Sequence, residues 1–132
     1  MNLENKTIVI TGGGQGLGRT MAISFAQSGA NIALVDLNEA LLQETVKLVE
    51  QSGSKVKCYL ANVSNEEQVE TTFKQINDDF NGIDGLINNA GILRDGMFVK
   101  AKDGVVSKKM SLAQFQSVID ANLTGVFLCG RE

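Results

Sequence analysis

The sequence predicts an α/β fold in which a parallel sheet is covered by helices on both faces. Two observations carry this. From Thr7 to Ile87, four short apolar runs alternate with three helical segments, without repeats or low-complexity stretches. Each helical segment is followed by a glycine (Gly29, Gly53, Gly82), where a left-handed C-terminal cap favours that residue. Strand–helix alternation of this kind requires right-handed crossovers, and those build a parallel sheet.

The elements follow in order. Thr7-Ile8-Val9-Ile10 is a β-branched run ending in glycines, and Ile32-Ala33-Leu34-Val35 has the same character. Both are apolar on both faces, as strands buried on both sides are. Val56 to Leu60 and Ile83 to Ile87 supply the third and fourth strands. Leu41, Thr45, Leu48 and Val49 form the stripe of the helix before the third strand, and Val69, Phe73, Ile76 and Phe80 that of the next. Ser64-Asn65-Glu66-Glu67 marks the start of the latter as a capping box. Beyond Gly91, Asp103-Gly104 within Met97 to Met110 signals a type I′ turn, and so a small exposed β-hairpin. Ser111-Leu112-Ala113-Gln114 opens a last helix as a second capping box. Its stripe is Phe115, Ile119, Asn122 and Val126, with Val118, Leu123 and Phe127 beside it. The polar Asn122 thus falls on a buried line, which predicts a specific hydrogen-bond partner for its amide.

A length of 132 residues fits one domain, residues 1–132, and 43% hydrophobic residues can fill a core. The net charge of -3 argues against nucleic acid as a partner. Lys108-Lys109, the densest cationic spot, reads as a solvated face. No apolar run reaches the ~20 residues of a membrane span, and the polar start fits no signal peptide, so a cytoplasmic protein without a membrane partner is expected. Cys58 and Cys129 lie in apolar runs without metal-like spacing and are expected as buried, reduced thiols. With no histidine, a His-based triad and the usual zinc site are excluded, and no metal site is expected.

Thr11-Gly12-Gly13-Gly14-Gln15-Gly16-Leu17-Gly18 lies between the first strand and the first helix. Glycines there let the backbone approach a pyrophosphate, while the helix start offers free amides and the positive end of its dipole. No Gly-Lys-Ser/Thr follows, which argues against a P-loop. Asp36, with Leu37 beside it, ends the second strand ~20 residues later, where a carboxylate accepts from both adenosine ribose hydroxyls and repels a 2′-phosphate. This favours NAD over NADP, and the absence of a basic residue at Gln15 agrees. The plainer reading of Asp36 is a helix cap before Asn38-Glu39.

Together, Thr11 to Gly18, Asp36, Asn88-Asn89-Ala90-Gly91 and Asn122-Leu123 resemble the short-chain dehydrogenase/reductase family over essentially the whole chain. Within it, Gly91-Ile92-Leu93-Arg94-Asp95 is most similar to the 3-oxoacyl-[acyl-carrier-protein] reductase branch. The resemblance implies a partial Rossmann-like, doubly wound sheet of strand order 3-2-1-4 that binds NAD(P), with the hairpin as an insertion. It implies an oxidoreductase moving a hydride between nicotinamide and a small carbonyl or hydroxyl substrate, of the 3-oxoacyl-thioester class in that branch. Gly12, Gln15, Gly16, Leu17 and Gly18 then hold the pyrophosphate, with Leu17 offering its amide. Asn62-Val63 stands where the family usually has Asp-Val against the adenine, and the Asn62 oxygen is expected to accept from the adenine amine. Asn89, Ala90 and Gly91 line the cofactor, Asn88 caps the sheet end, and Asn122 helps hold a water in a proton relay; its plainer reading is structural support.

The family's Ser and Tyr-x-x-x-Lys have no counterpart before Glu132, where the only tyrosine is Tyr59. The polypeptide is therefore expected not to transfer hydride by itself, and its complete parent to do so as a homo-oligomer. The fourth strand is expected as a bare edge, which predicts self-association. The hairpin reads either as a shaper of substrate entry or as a neutral insertion. Two other functions remain open: a non-catalytic dinucleotide-binding module, and a Rossmann-like methyltransferase. Against the latter stand Thr11, where such enzymes often carry an acid, and the Asn-Asn-Ala-Gly run.

Overall fold

A computed structural model describes residues 2–132. Four parallel strands, β1 (Thr7–Thr11), β2 (Asn31–Asp36), β3 (Val56–Leu60) and β4 (Gly85–Ile87), form one sheet of order β3-β2-β1-β4. The helices α1 (Gly16–Gln27), α2 (Glu39–Glu50) and α3 (Glu66–Phe80) connect them. Register is set by Ile8 opposite Ile32, Ile32 opposite Val56, and Ile8 opposite Gly85. This is the doubly wound order expected from the sequence.

Strand alternation divides the core into two layers. Ile8, Ile10, Ile32 and Leu34 point to one face and pack with Ala22, Ala26, Leu42 and Val49 of α1 and α2. Val9, Ala33 and Val35 point to the other, against Val69, Phe73 and Ile76 of α3. Neither face of the central strands meets water, which is why they read as continuous apolar runs.

Several elements depart from expectation. β4 begins at Gly85, not Ile83, because the Asp84 carboxylate takes the Thr7 N–H (2.9 Å) and the Lys6 ammonium (2.8 Å) at the strand entrance. On α2 the buried stripe is Leu42, Thr45 and Val49. Leu41 leans over Gly14 and Leu48 is exposed. The cap of α3 is Asn65, whose side chain accepts from Gln68 N, while Ser64 is drawn back to Asn62 Oδ1. At the C-terminus of α3, Asn81 (φ 60°) adopts the left-handed cap ahead of Gly82. Cys129 is buried as expected, but Cys58 is half-buried, with Sγ 3.4 Å from Gln43 Nε2.

The hairpin forms from β5 (Val99–Lys102) and β6 (Val105–Lys109), with Asp103 (φ 51°) and Gly104 (φ 79°) at its tip. All its strand residues are exposed. The last helical segment comprises α4 (Leu112–Ile119), a π turn (Asp120–Thr124) and α5 (Gly125–Arg131). Ser111 caps α4 through Gln114 N, but the reciprocal bond of a capping box is absent because Gln114 Nε2 reaches Arg94 O instead. The single stripe expected through Phe115, Ile119, Asn122 and Val126 does not survive. Phe115, Leu123, Val126 and Phe127 are exposed, and Gly125, Leu128 and Cys129 are buried. A π turn adds a residue, which rotates the following face by roughly 100° relative to an unbroken helix. Gly125 then seats α5 on Val63: a Cβ there would lie 2.8 Å from Val63 Cγ2.

Candidate dinucleotide site

Strands β2 and β3 lie to one side of β1 and β4 to the other, so the chain switches direction between β1 and β4. In open α/β sheets, a crevice opens at such a switch, beyond the carboxyl ends of the strands. Here it is a cleft of ≈ 330 Å³. Of the residues singled out from the sequence, Gly12, Gln15, Asp36, Leu37, Asn62, Val63, Asn89, Ala90 and Gly91 line it. Gly16, Leu17 and Gly18 form the start of α1, and Asn122 follows Ala121 of the cleft wall. Val35, Ala61, Ile92 and Ala121 complete the wall. Sequence reasoning missed them because small apolar side chains carry no polar signal; their places at strand ends were the available clue.

The glycines answer to distinct constraints. Gly12 has φ 66°, and a Cβ on it would come within 2.9 Å of Ala90 Cα. Gly18 lies so close under the turn that a Cβ would stand 2.1 Å from Gly12 O. Gly16 (φ 53°) faces open space, with nothing within 4 Å of its would-be Cβ. The turn is thus packed tightly on its inner side and left bare on its outer one. The helices α2, α3 and α4 have side-chain caps at Asn38, Asn65 and Ser111, whereas the N-cap of α1, Gln15, makes no such bond. The first amides of α1 therefore stay available to an anion beside the bare face.

Asp36 stands at the turn. Its Oδ2 accepts from Gly14 N (2.9 Å), and its Oδ1 from Leu37 N (2.7 Å) and Asn38 N (3.2 Å). The helix-cap reading of Asp36 fails, because Asn38 caps α2 by accepting from Leu41 N. A carboxylate has about four acceptor sites, so three amides leave capacity toward the cleft.

The sheet-end tie expected of Asn88 is made by Asn89, and Asn88 is exposed. Asn89 Nδ2 donates to Thr11 O and Gly12 O, both at 3.1 Å, while Thr11 Oγ1 accepts from the Asn89 and Ala90 amides. These bonds clip the end of β4 to the glycine turn. Asn62 Oδ1 accepts from Ser64 N (3.0 Å) and Ser64 Oγ (2.6 Å), so the oxygen expected to receive an adenine amine is already engaged. Asn122 lies on the π turn and is exposed, not buried, yet its amide is engaged at both its oxygen and its nitrogen. Oδ1 accepts from Ile92 N (2.8 Å) and Nδ2 donates to Ile92 O (3.0 Å). A side-chain amide here pairs with a peptide group as a neighbouring strand would, fixing the segment after Gly91.

Tyr59, the only tyrosine, is buried in β3 and donates to Asp79 Oδ2 (2.8 Å). Desolvation, together with that carboxylate, raises its pKa above the usual 10.0. Among the described residues there is no cluster of three or more metal-ligating side chains, and no helix long and apolar enough to cross a membrane.

Residues 6–132 match the family model for short chain dehydrogenases. The chain belongs to that family. It is 35% identical to a 3-oxoacyl-[acyl-carrier-protein] reductase of Thermotoga maritima over 127 residues, covering 96% of this chain and 48% of the relative. It is also 35% identical to a 2,5-dichloro-2,5-cyclohexadiene-1,4-diol dehydrogenase of Sphingobium indicum, covering 97% of this chain and 47% of that protein. Among solved structures, NAD+-bound xylitol dehydrogenase superposes with a TM-score of 0.85 at 30% identity, covering 99% of this chain and 47% of that one. Levodione reductase gives 0.84 at 34%, covering 98% and 48%. The chain spans about half the length of the curated relatives it matches.

Proposed function

We propose that this chain is the dinucleotide-binding part of an NAD-dependent oxidoreductase. The observation that carries the reading is the 2.9 Å bond between Asp36 Oδ2 and Gly14 N, which puts an acid and a glycine-rich helix start on one edge of one cleft. Gly12, Gln15, Gly16, Leu17 and Gly18 hold the pyrophosphate against the uncapped start of α1. Asp36 and Leu37 hold the adenosine ribose, and Asp36 excludes a 2′-phosphate by charge. Asn62 and Val63 flank the adenine; with the Asn62 oxygen committed to Ser64, its amide N–H groups are the free polar end there. Asn89, Ala90 and Gly91 line the nicotinamide half. The NAD+ in the similar xylitol dehydrogenase supports the same ligand here.

When bound, a nicotinamide supplies or accepts a hydride. In the complete protein this serves a small carbonyl or hydroxyl substrate, and the likeness to the 3-oxoacyl-[acyl-carrier-protein] reductase favours a 3-oxoacyl thioester. Asn122 holds the Ile92 peptide that borders the reacting end and so positions groups of a proton relay. The 132 residues bind without turnover, because their one tyrosine, Tyr59 on β3, is committed to Asp79 of α3, away from the cleft.

Isothermal titration of the folded chain tests this. NADH is expected to saturate, NADPH to bind at least about tenfold more weakly, and S-adenosylmethionine to give no heat. Asp36→Ala should erase the preference for NADH. A folded chain that ignores both dinucleotides overturns the proposal.

A further inference from the structure

Both backbone groups of Gly14 are held by side chains, the N–H by Asp36 in the cleft wall and the carbonyl by Arg19 and Thr45 outside it. Its N–H meets Asp36, as above. Its carbonyl accepts from Arg19 Nε (3.1 Å), Arg19 Nη2 (2.6 Å) and Thr45 Oγ1 (3.0 Å). Arg19 continues to Thr45 Oγ1 (3.0 Å), Leu41 O (3.4 Å) and Glu44 Oε2 (3.0 Å), so its planar fork bridges the glycine turn to α2. Thr45 is fully buried.

The placement of Arg19 is electrostatically unusual. It is the fourth residue of α1, and no acidic residue occupies that helix's first turn. A cation at a helix N-terminus opposes the macrodipole and lowers stability. Carbonyl oxygens and Glu44 offset part of that cost. An anion at the helix start would offset the rest, since it would interact favourably with both the dipole and the guanidinium. A run of three glycines is also intrinsically mobile. The fork removes that freedom at Gly14, the one turn residue whose amide orients the Asp36 carboxylate.

We infer that Arg19 and Thr45 are positioning residues that preset the glycine turn and the Asp36 carboxylate, and thereby set dinucleotide affinity and the preference for NADH over NADPH. This rests on the dinucleotide reading of the cleft. The unit acts through Gly14: with its carbonyl held, the φ and ψ of this glycine are restricted, so its amide stays aimed at Oδ2 and the acid keeps one orientation toward the ribose. Loss of the fork relaxes the backbone at Gly14 and releases the Oδ2 end of the acid, which stays held at Oδ1 by Leu37 N and Asn38 N, and the looser carboxylate weakens the penalty on a 2′-phosphate.

The test is isothermal titration of the 132-residue chain with NADH and with NADPH. The variants are Arg19→Met, which keeps the aliphatic stem, Thr45→Val, which keeps the shape, and Thr45→Ser, which restores the hydroxyl. Thermal unfolding of each variant is followed in parallel. Removing a hydrogen-bonding group from a fixed network, part-buried at Arg19 and buried at Thr45, should weaken NADH binding by about tenfold in Arg19→Met and Thr45→Val. The ratio of NADPH to NADH dissociation constants should fall in both variants, while Thr45→Ser behaves as wild type. A merely structural unit would lower the melting temperature and leave that ratio unchanged in the folded protein. An unchanged ratio in a folded Arg19→Met or Thr45→Val chain therefore overturns the inference while the dinucleotide reading stands. A wild-type chain that binds neither dinucleotide overturns both.

Discussion

Replacing Gly18 by alanine separates close packing from helix propensity. In an exposed helix, Gly→Ala stabilises by up to about 1 kcal/mol. At Gly18 the added Cβ would lie 2.1 Å from Gly12 O, 2.8 Å from Asn89 Nδ2 and 2.9 Å from Gly12 C. Two of these atoms are backbone, which cannot swing aside as a flexible side chain can. The start of α1 must retreat by roughly an ångström, at a cost of about 1–3 kcal/mol for overpacking. That retreat also stretches the two 3.1 Å bonds from Asn89 Nδ2 to Thr11 O and Gly12 O. Each is worth about 1 kcal/mol net. After the propensity gain, the expected net loss is roughly 2–4 kcal/mol, a large fraction of a typical domain's stability. Urea unfolding followed by circular dichroism reads it as a lowered midpoint at unchanged slope. Gly130→Ala is the control: it lies in α5 with nothing within 4 Å of the would-be Cβ, and should gain up to about 1 kcal/mol. If Gly18→Ala unfolds at or above the wild-type urea concentration, the packing argument for this turn is wrong.

Two further predictions concern groups elsewhere. Burial raises the Cys129 thiol from 9.0 to about 11. A raised folded-state pKa contributes stability that is present below pH 9 and lost as pH climbs through about 11. The decline in melting temperature over that range should be shallower in Cys129→Ala, and identical slopes would contradict it. Asn122→Ala removes the acceptor of the Ile92 amide (2.8 Å), so hydrogen exchange at Ile92 should accelerate while that of Val9 in β1 stays protected; equal protection at Ile92 in both proteins would refute the clamp.

Much of the fold was legible locally. Ile8 and Ile10 alternate with Val9, a period of two that any strand imposes, and the two core layers follow directly. Asp103-Gly104 specified its turn because both positions require positive φ, and both have it. Helix phase was less legible. On α2, Leu41 and Leu42 compete for the sheet; the glycine turn, lying against Leu41, leaves Leu42 to face the core. After Ile119, one π turn reset which residues were buried, and no local pattern announced it.

The sequence by itself determined the order of strands and helices, the glycine-rich start of α1 and the presence of an acid at the end of β2, because sterics and periodicity act within a few residues. Only the tertiary structure decided that Asp36 meets Gly14 across 22 residues, that Asn89 and not Asn88 closes the sheet end across 78, and that Asn122 clamps Ile92. Those pairings depend on parallel register and helix rotation, which are fixed when the two core layers close. Residues distant along the chain acquire their partners only then.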